Sequence, residues 1–194
     1  MDKAVYCLYP ICTNCYILSS CGECAVIDPA SSASLLRDEI NKTGAVLKYI
    51  LLTHGHFDHI GGADELKKYF PEAKILISAA DARMLDDPMM NASKLFGGGE
   101  ILCTSAYETV AEGDILTLGE EKISVLATPG HTKGSLCYVC DNTVYTGDTL
   151  FDDGYGRTDL PNAAPWKIEA SVARIKASYS GKTACPGHGA SFTI

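Results

Sequence analysis

The sequence predicts an α/β fold in which sheets are packed inside helices. Three observations predict it. Apolar, strand-like runs alternate with amphipathic stretches along all 194 residues. Both halves repeat that mixture, and no linker, low-complexity segment or short-period repeat divides them, so residues 1–194 read as a single domain. Hydrophobic residues make up 46% of the chain and charged residues 21%, a balance that supports a buried core and argues against disorder.

The elements follow in chain order. "CYILSS" and "CAVIDPA" (15–20 and 24–30) form a hairpin around Gly22-Glu23. Residues 32–43 form a helix that Ser31 or Ser32 can cap, with Leu35, Leu36 and Ile40 on one face and Gly44 beyond its end. "VLKYILLT" (46–53) is a buried strand. A helix from about Gly62 stops at Phe70, because the residue before Pro71 disfavours the helical region. "KILISA" (74–79) is a strand and residues 79–87 are a short helix. "DDPMMNASKLFGGGE" (86–100) is a loop whose triple glycine suggests mobility. "DILTLG", "KISVLATPG", "SLCYVC" and "NTVYTGD" are strands of the second half. A helix spans 164–179, with Pro165 in its first turn and Trp166, Val172 and Ile175 on one buried face. "KTACPG" (182–187) is a last short strand.

Charge and termini narrow the function classes. A formal net charge of -8 with no basic stripe argues against a nucleic-acid partner. The N-terminus lacks the pattern of a secretory signal, and no run approaches the ~20 apolar residues of a membrane span. The expectation is a cytoplasmic protein without a membrane partner, acting on a small molecule, with its nine cysteines mostly reduced. Three CxxC pairs occur, at Cys12/Cys15, Cys21/Cys24 and Cys137/Cys140. The spacing C-x2-C-x5-C-x2-C invites a structural zinc site. Hairpin geometry weighs against it, since Cys15 lies roughly 20 Å from the turn that carries Cys21 and Cys24. A Cys21–Cys24 disulfide across the turn is an alternative. The plain expectation is that the cysteines are buried small hydrophobes.

The stretch "LLTHGHFDHIGG" (51–62) asks for chemistry. Three of the chain's five histidines and an aspartate fall in six positions, His54, His56, Asp58 and His59, at the end of an apolar strand. Alternate residues of an extended backbone point the same way, so His54 and His56 converge on one point while the following turn aims Asp58 and His59 at a second. Imidazole and carboxylate suit zinc and iron. His131 ends "ISVLATPGH", Asp148 ends "NTVYTGD" and His188 ends "TACPGH", each beside a glycine that allows a sharp turn. Four strand ends thus deliver every histidine and two aspartates toward one sheet edge.

These motifs carry a resemblance. "THGHFDH" resembles the HxHxDH signature of the metallo-β-lactamase-fold hydrolases, and "TPGHTKGS", "YTGDTLF" and "CPGHG" match the superfamily's later motifs in order, from His54 to His188. The nearest branch is the glyoxalase II-like (hydroxyacylglutathione hydrolase-like) one, in which "GDTLF" precedes a GxGR turn, here "GYGRTDLP" (154–161). The resemblance implies an αββα sandwich of two mixed sheets flanked by helices, with two divalent metal ions at one edge. Zinc is the first expectation, iron or manganese the alternatives. It implies that His54, His56 and His131 hold one metal, that Asp58, His59 and His188 hold the other, and that Asp148 bridges both together with a water or hydroxide. An aspartate at 148 argues against the zinc β-lactamases that carry a cysteine there.

The implied chemistry is hydrolysis of a thioester of the hydroxyacylglutathione type. A metal-bridging hydroxide attacks the carbonyl, a metal stabilises the oxyanion, and a thiolate departs with little need of protonation. Asp58 serves mainly as a ligand and secondarily orients the water. The alternatives are a mononuclear iron persulfide dioxygenase of the same fold, whose relatives also carry "GRTD", and a lactone or other ester hydrolase. Arg157 is expected to brace the metal loop through an aspartate such as Asp159, or else to bind an anionic substrate group. Tyr155 replaces a cysteine found in many relatives. Lys133 follows the "GHT" turn, either solvated or facing substrate. The sequence ends six residues after His188, so the resemblance is to a short form without the C-terminal glutathione-binding domain. Loop 86–100, with Met89, Met90, Leu95 and Phe96, is then the candidate wall of the pocket.

Overall fold

The computed structural model describes residues 1–96 and 99–194; Gly97 and Gly98, part of the glycine run read as mobile, lie outside the described residues. Two six-stranded mixed sheets lie face to face. The first has the order β1 (Asp2–Leu8), β2 (Thr13–Ser20), β3 (Glu23–Ile27), β4 (Val46–Leu51), β5 (Lys74–Ser78), β6 (Tyr107–Val110). Strands β1 to β3 are antiparallel and β3 to β6 parallel. The second runs β12 (Phe192–Thr193), β11 (Thr183–Pro186), β10 (Thr143–Gly147), β9 (Leu136–Cys140), β8 (Glu121–Ala127), β7 (Ile115–Leu118), antiparallel throughout except for β10 beside β11.

Alternation along the strands builds three apolar layers. Leu18, Ile27, Leu51, Val125, Tyr138 and Tyr145 meet between the sheets. The opposite face of the first sheet, with Val26, Ile50 and Ile75, is covered by α1 (Ala33–Thr43) and α3 (Ala63–Tyr69) through Leu36, Ile40 and Leu66. The outer face of the second sheet, with Cys137 and Val144, is covered by α4 (Ile168–Ser178) through Ile175. This is the expected αββα sandwich.

Several local expectations change. The hairpin turns at Cys21-Gly22, one residue early, and both have positive φ. Ser32 holds the N-cap position of α1 but makes no side-chain cap, and Leu35 stays exposed while Ala33, Leu36 and Ile40 are buried. Only Ala82–Leu85 of the 79–87 segment is helical, as a 3-10 turn. Pro165–Lys167 is likewise a 3-10 turn ahead of α4, and its tighter winding puts Trp166 out of step with the buried face, leaving it 73% exposed. Strands β1, β6 and β12 are additions: they lie at sheet edges, and β1 and β6 keep mostly exposed residues, although β1 carries the apolar run Ala4 to Leu8.

The cysteines also depart from expectation in one place. Cys7 at the end of β1 and Cys12 in the following loop form a disulfide, so Cys12 pairs backwards rather than with Cys15. The other seven are free, and all but Cys21 are buried. Cys137 and Cys140 point to opposite faces of β9, one toward α4 and one toward the inter-sheet core. Among the described residues no helix is long and apolar enough to cross a membrane.

Candidate metal centre

Parallel strands bring their carboxyl ends to a common edge, and here both sheets contribute. His54 and His56 follow β4, and Asp58 and His59 lie in the short helix α2 (Phe57–Ile60). His131 follows β8, Asp148 directly follows β10, and His188 follows β11. The structure brings all seven residues into one cluster. Three overlapping sets have ligand-type atoms within 4.8 Å of one another: His54, His56 and His131; His54, His59 and Asp148; Asp58, His59 and His188.

The hydrogen bonds set which nitrogen each ring turns inward. His131 Nδ1–H donates to the Arg157 carbonyl at 2.7 Å. His54 Nδ1–H donates to Thr53 Oγ1 at 3.0 Å, since that hydroxyl gives its own hydrogen to Asp28 Oδ2 at 2.7 Å. The Nε2 lone pairs of His54 and His131 therefore face each other across 3.2 Å, and His56 Nδ1 lies 2.8 Å from the same His131 atom. Two facing lone pairs cannot hydrogen-bond to one another; a cation between them satisfies both. His59 Nδ1–H donates to Asp28 Oδ2 at 2.8 Å, which points Nε2 at Asp58 Oδ2 (3.2 Å) and Asp148 Oδ1 (3.5 Å). His188 Nε2 is 3.3 Å from Asp58 Oδ2 and 3.6 Å from Asp148 Oδ2. Among the described residues, His59 Nε2 and Asp148 Oδ1 are buried without a hydrogen-bond partner. That orphaned pair, beside the three clustered imidazoles of His54, His56 and His131, is a donor set that fits metal ions.

Electrostatics divide the cluster into halves. Burial, with the neighbouring imidazoles, holds His54 well below the ordinary histidine range, and burial chiefly depresses His56 and His131 too. Three neutral rings are thus ready as ligands. Burial also works against a charge on His59 and His188. Asp58, Asp148 and Asp28 outweigh it at His59, and Asp58 with Asp148 at His188, so both are raised. Asp58 is likewise lowered, its burial outweighed by His59 and His188. The carboxylate half attracts positive charge, whether protons or a metal ion.

A second ring of residues holds these loops. Thr13 Oγ1 donates to Asp58 Oδ2 at 2.9 Å. Asp81 accepts from the Gly55 and Gly134 amides, Thr132 Oγ1 and Asn162 Nδ2, tying the 54–59, 131–135 and 162 segments together. The glycines near the ligands do different work. Gly147 has φ +48, a true left-handed turn, whereas Gly187 leaves room for Asp148 Oδ1, where a Cβ would overlap. Asp28 and Asp81 escaped the sequence reading, although Asp28, like Asp148, stands directly after an apolar strand.

The cluster floors a cavity of about 530 Å³, lined also by Ile11, Phe57, Phe96, Phe151, Leu160 and Arg157. Arg157 Nε and a terminal nitrogen donate to the two oxygens of Asp159, at 2.6 and 2.8 Å. Lys133 and Tyr155 are not in the lining: Lys133 is exposed beside a different hollow, and Tyr155 faces solvent. Of loop 86–100, Phe96 alone of the four expected side chains lines the cavity, with its ring 5.8 Å from that of Phe57. The walls Ile11, Phe57, Phe151 and Leu160 had no sequence signal beyond proximity to the motifs.

The family model for the metallo-beta-lactamase superfamily matches residues 9–188. A probable metallo-hydrolase of Bacillus subtilis is 34% identical over 153 residues, covering 78% of this chain and 72% of that protein. A hydroxyacylglutathione hydrolase of Salmonella typhi is 30% identical over 167 residues, 86% of this chain but 57% of that enzyme's length. Among solved structures, the B3 metallo-beta-lactamase BLEG-1 superposes with a TM-score of 0.92 at 30% identity, covering 99% of this chain and 94% of its own. Sequence match, sandwich and clustered strand ends agree, and the chain belongs to the metallo-beta-lactamase superfamily.

Proposed function

We propose that this protein is a metal-dependent hydrolase of thioesters, with two metal ions, zinc first among the candidates, held by His54, His56 and His131 on one side and Asp58, His59 and His188 on the other, and Asp148 between them. One observation carries the reading: the cavity wall holds carboxylates and imidazoles of the cluster but, among the described residues, no serine, cysteine or lysine. With those carboxylates and imidazoles committed to the metal ions, the attacking group is water. When bound, the metal pair supplies a lowered water pKa and Lewis-acid polarisation of the carbonyl.

The chain's own residues do the rest. Asp58, fixed by Thr13, orients the attacking water, and Asp148 sets the separation of the two halves. Among the described residues the lining offers no acid outside the ligand set except Arg157, whose pKa is raised by its bond to Asp159. A leaving group that must be protonated, an amine or alkoxide, finds no donor here. A thiolate, with a conjugate-acid pKa of about 8.5, needs none. This favours thioesters over amides, β-lactams and simple esters.

The test is metal content by mass spectrometry on protein purified without added metal, beside S-lactoylglutathione hydrolysis and oxygen uptake with glutathione persulfide. Near two zinc ions per chain with thioester cleavage is the expected result. About one iron per chain with persulfide-dependent oxygen uptake would move the protein to the dioxygenases.

A further inference from the structure

The cavity wall combines five apolar side chains with one cation. Ile11 approaches from the β1–β2 loop, next to Cys12, whose carbonyl lies 3.4 Å from His188 Nδ1. Phe151 faces the His188 ring at 6.3 Å between centroids. Phe57 and Phe96 lie with ring centroids 5.8 Å apart at a 31° tilt, and Leu160 also lines the wall. The cation, Arg157, is engaged twice: its fork is bidentate on Asp159, and its guanidinium carbon lies 5.9 Å over the Phe96 ring. Paired with a carboxylate, the guanidinium offers an anionic arm no net charge to approach, and only its Nη1 side keeps free N–H groups. The chain as a whole is negative, at -8.

We infer that this cavity selects thioesters whose groups beside the carbonyl are apolar and uncharged, over those carrying the carboxylates of glutathione. The inference rests on the thioester reading and names its substrate class. Phe96 and Phe57 form the platform for the apolar group. Asp159 is a specificity-determining residue: by occupying Arg157 it removes the charge that would recognise an anionic arm.

Four thioesters test it, lactoyl and phenylacetyl groups each on glutathione and on the neutral thiol N-acetylcysteamine. The expected kcat/KM is at least tenfold higher for phenylacetyl than for lactoyl on either thiol, since each buried methylene-sized group is worth roughly fourfold. It is not lower on N-acetylcysteamine than on glutathione. Phe96→Ala should cut the phenylacetyl-to-lactoyl ratio below threefold, and Phe96 is 52% exposed, so the variant keeps its fold. Asp159→Asn should lower the ratio of kcat/KM on N-acetylcysteamine to that on glutathione several-fold for the same acyl group. Lactoylglutathione as the best substrate, or any requirement for glutathione, overturns the inference and leaves thioester hydrolysis standing. If no thioester turns over, that hydrolytic reading falls, and calorimetric binding of S-methylglutathione and S-(2-phenylethyl)glutathione decides the rest. At least tenfold tighter binding of the phenylethyl compound, lost in Phe96→Ala, retains apolar selection; equal affinities overturn it.

Discussion

Asp28 Oδ2 accepts the Nδ1–H of His59 at 2.8 Å and, from the other side, the hydroxyl of Thr53, whose oxygen in turn receives His54 Nδ1–H. One buried carboxylate thereby sets the tautomer of a histidine in each half of the cluster. Asp28→Ala leaves three buried donors, the Thr53 amide and hydroxyl and His59 Nδ1, without their acceptor. The expected loss is 10- to 100-fold in metal affinity and about 1–3 kcal/mol in stability. Dialysis against graded chelator, followed by metal analysis, checks the first number. Metal retention equal to that of the parent protein would show that the ligands hold their orientation unaided.

Gly187 is a matter of space. A methyl there would overlap Asp148 Oδ1 and lie 2.7 Å from His59 Cε1. Gly187→Ala should therefore displace Asp148 and collapse metal stoichiometry. Gly113→Ala is the informative control: its φ of +89 makes it strained, but a Cβ there meets nothing within 4 Å, so metal content should hold while stability drops. Equal metal loss in both variants would count against the packing argument.

Asp81 predicts a pH dependence. Burial raises it to about 6, against four hydrogen bonds that pull it down. Its native pKa lies above the ordinary 3.9, so between about pH 4 and 6 the folded state binds more proton than the unfolded state. Stability from this group is present at low pH and is lost as pH rises through that window, with a slope of up to about 1.4 kcal/mol per unit, flattening above pH 6. Asp81→Asn removes the titration. Urea unfolding of both proteins from pH 4.5 to 7.5 should show the parent's advantage shrinking toward pH 6 and constant thereafter. A difference independent of pH would mean that Asp81 titrates alike in both states.

The Cys7–Cys12 disulfide closes a short loop that carries Ile11 to the cavity. Chain entropy over so few residues gives about 2 kcal/mol. Reduction should expose nine thiols in denaturant instead of seven, lower stability by about that amount, and raise KM more than it lowers kcat. A kcat loss with KM unchanged would place the loop's effect on the ligands, through the Cys12 carbonyl and His188, rather than on the wall.

Much of the metal centre was legible because its chemistry is written in residue types that have no packing use. Four ligand-type side chains in six positions after an apolar strand, then His131, Asp148 and His188 each beyond another strand, needed only a common edge. Asp28 carried a similar mark, an aspartate after "CAVI", but a lone carboxylate in a turn looks the same whether it caps a loop or braces two histidines. Lys133 drew notice for following the "GHT" turn and is solvated, the first of its two expected states, and Tyr155 drew notice for replacing a cysteine of the resembled family. Neither lines the cavity, because closeness along the chain to a motif does not set the direction of a side chain. Trp166 was assigned a helical period that the 3-10 turn at Pro165–Lys167 does not keep.

Sequence alone determined the alternation of the main strands and helices and the identity of the clustered histidines and aspartates, since periodicity and chemical type are local properties of the chain, while the sandwich itself came from the resemblance its motifs carry. Tertiary structure decided what is non-local: that the ends of β4, β8, β10 and β11 meet across two sheets, that Asp28 serves both halves, that Cys7 reaches Cys12, and that Ile11, Phe57, Phe96, Phe151 and Leu160 form one wall. An apolar side chain in a loop has the same local signature whether it faces a core, a cavity or water, and only the packing of distant segments tells them apart.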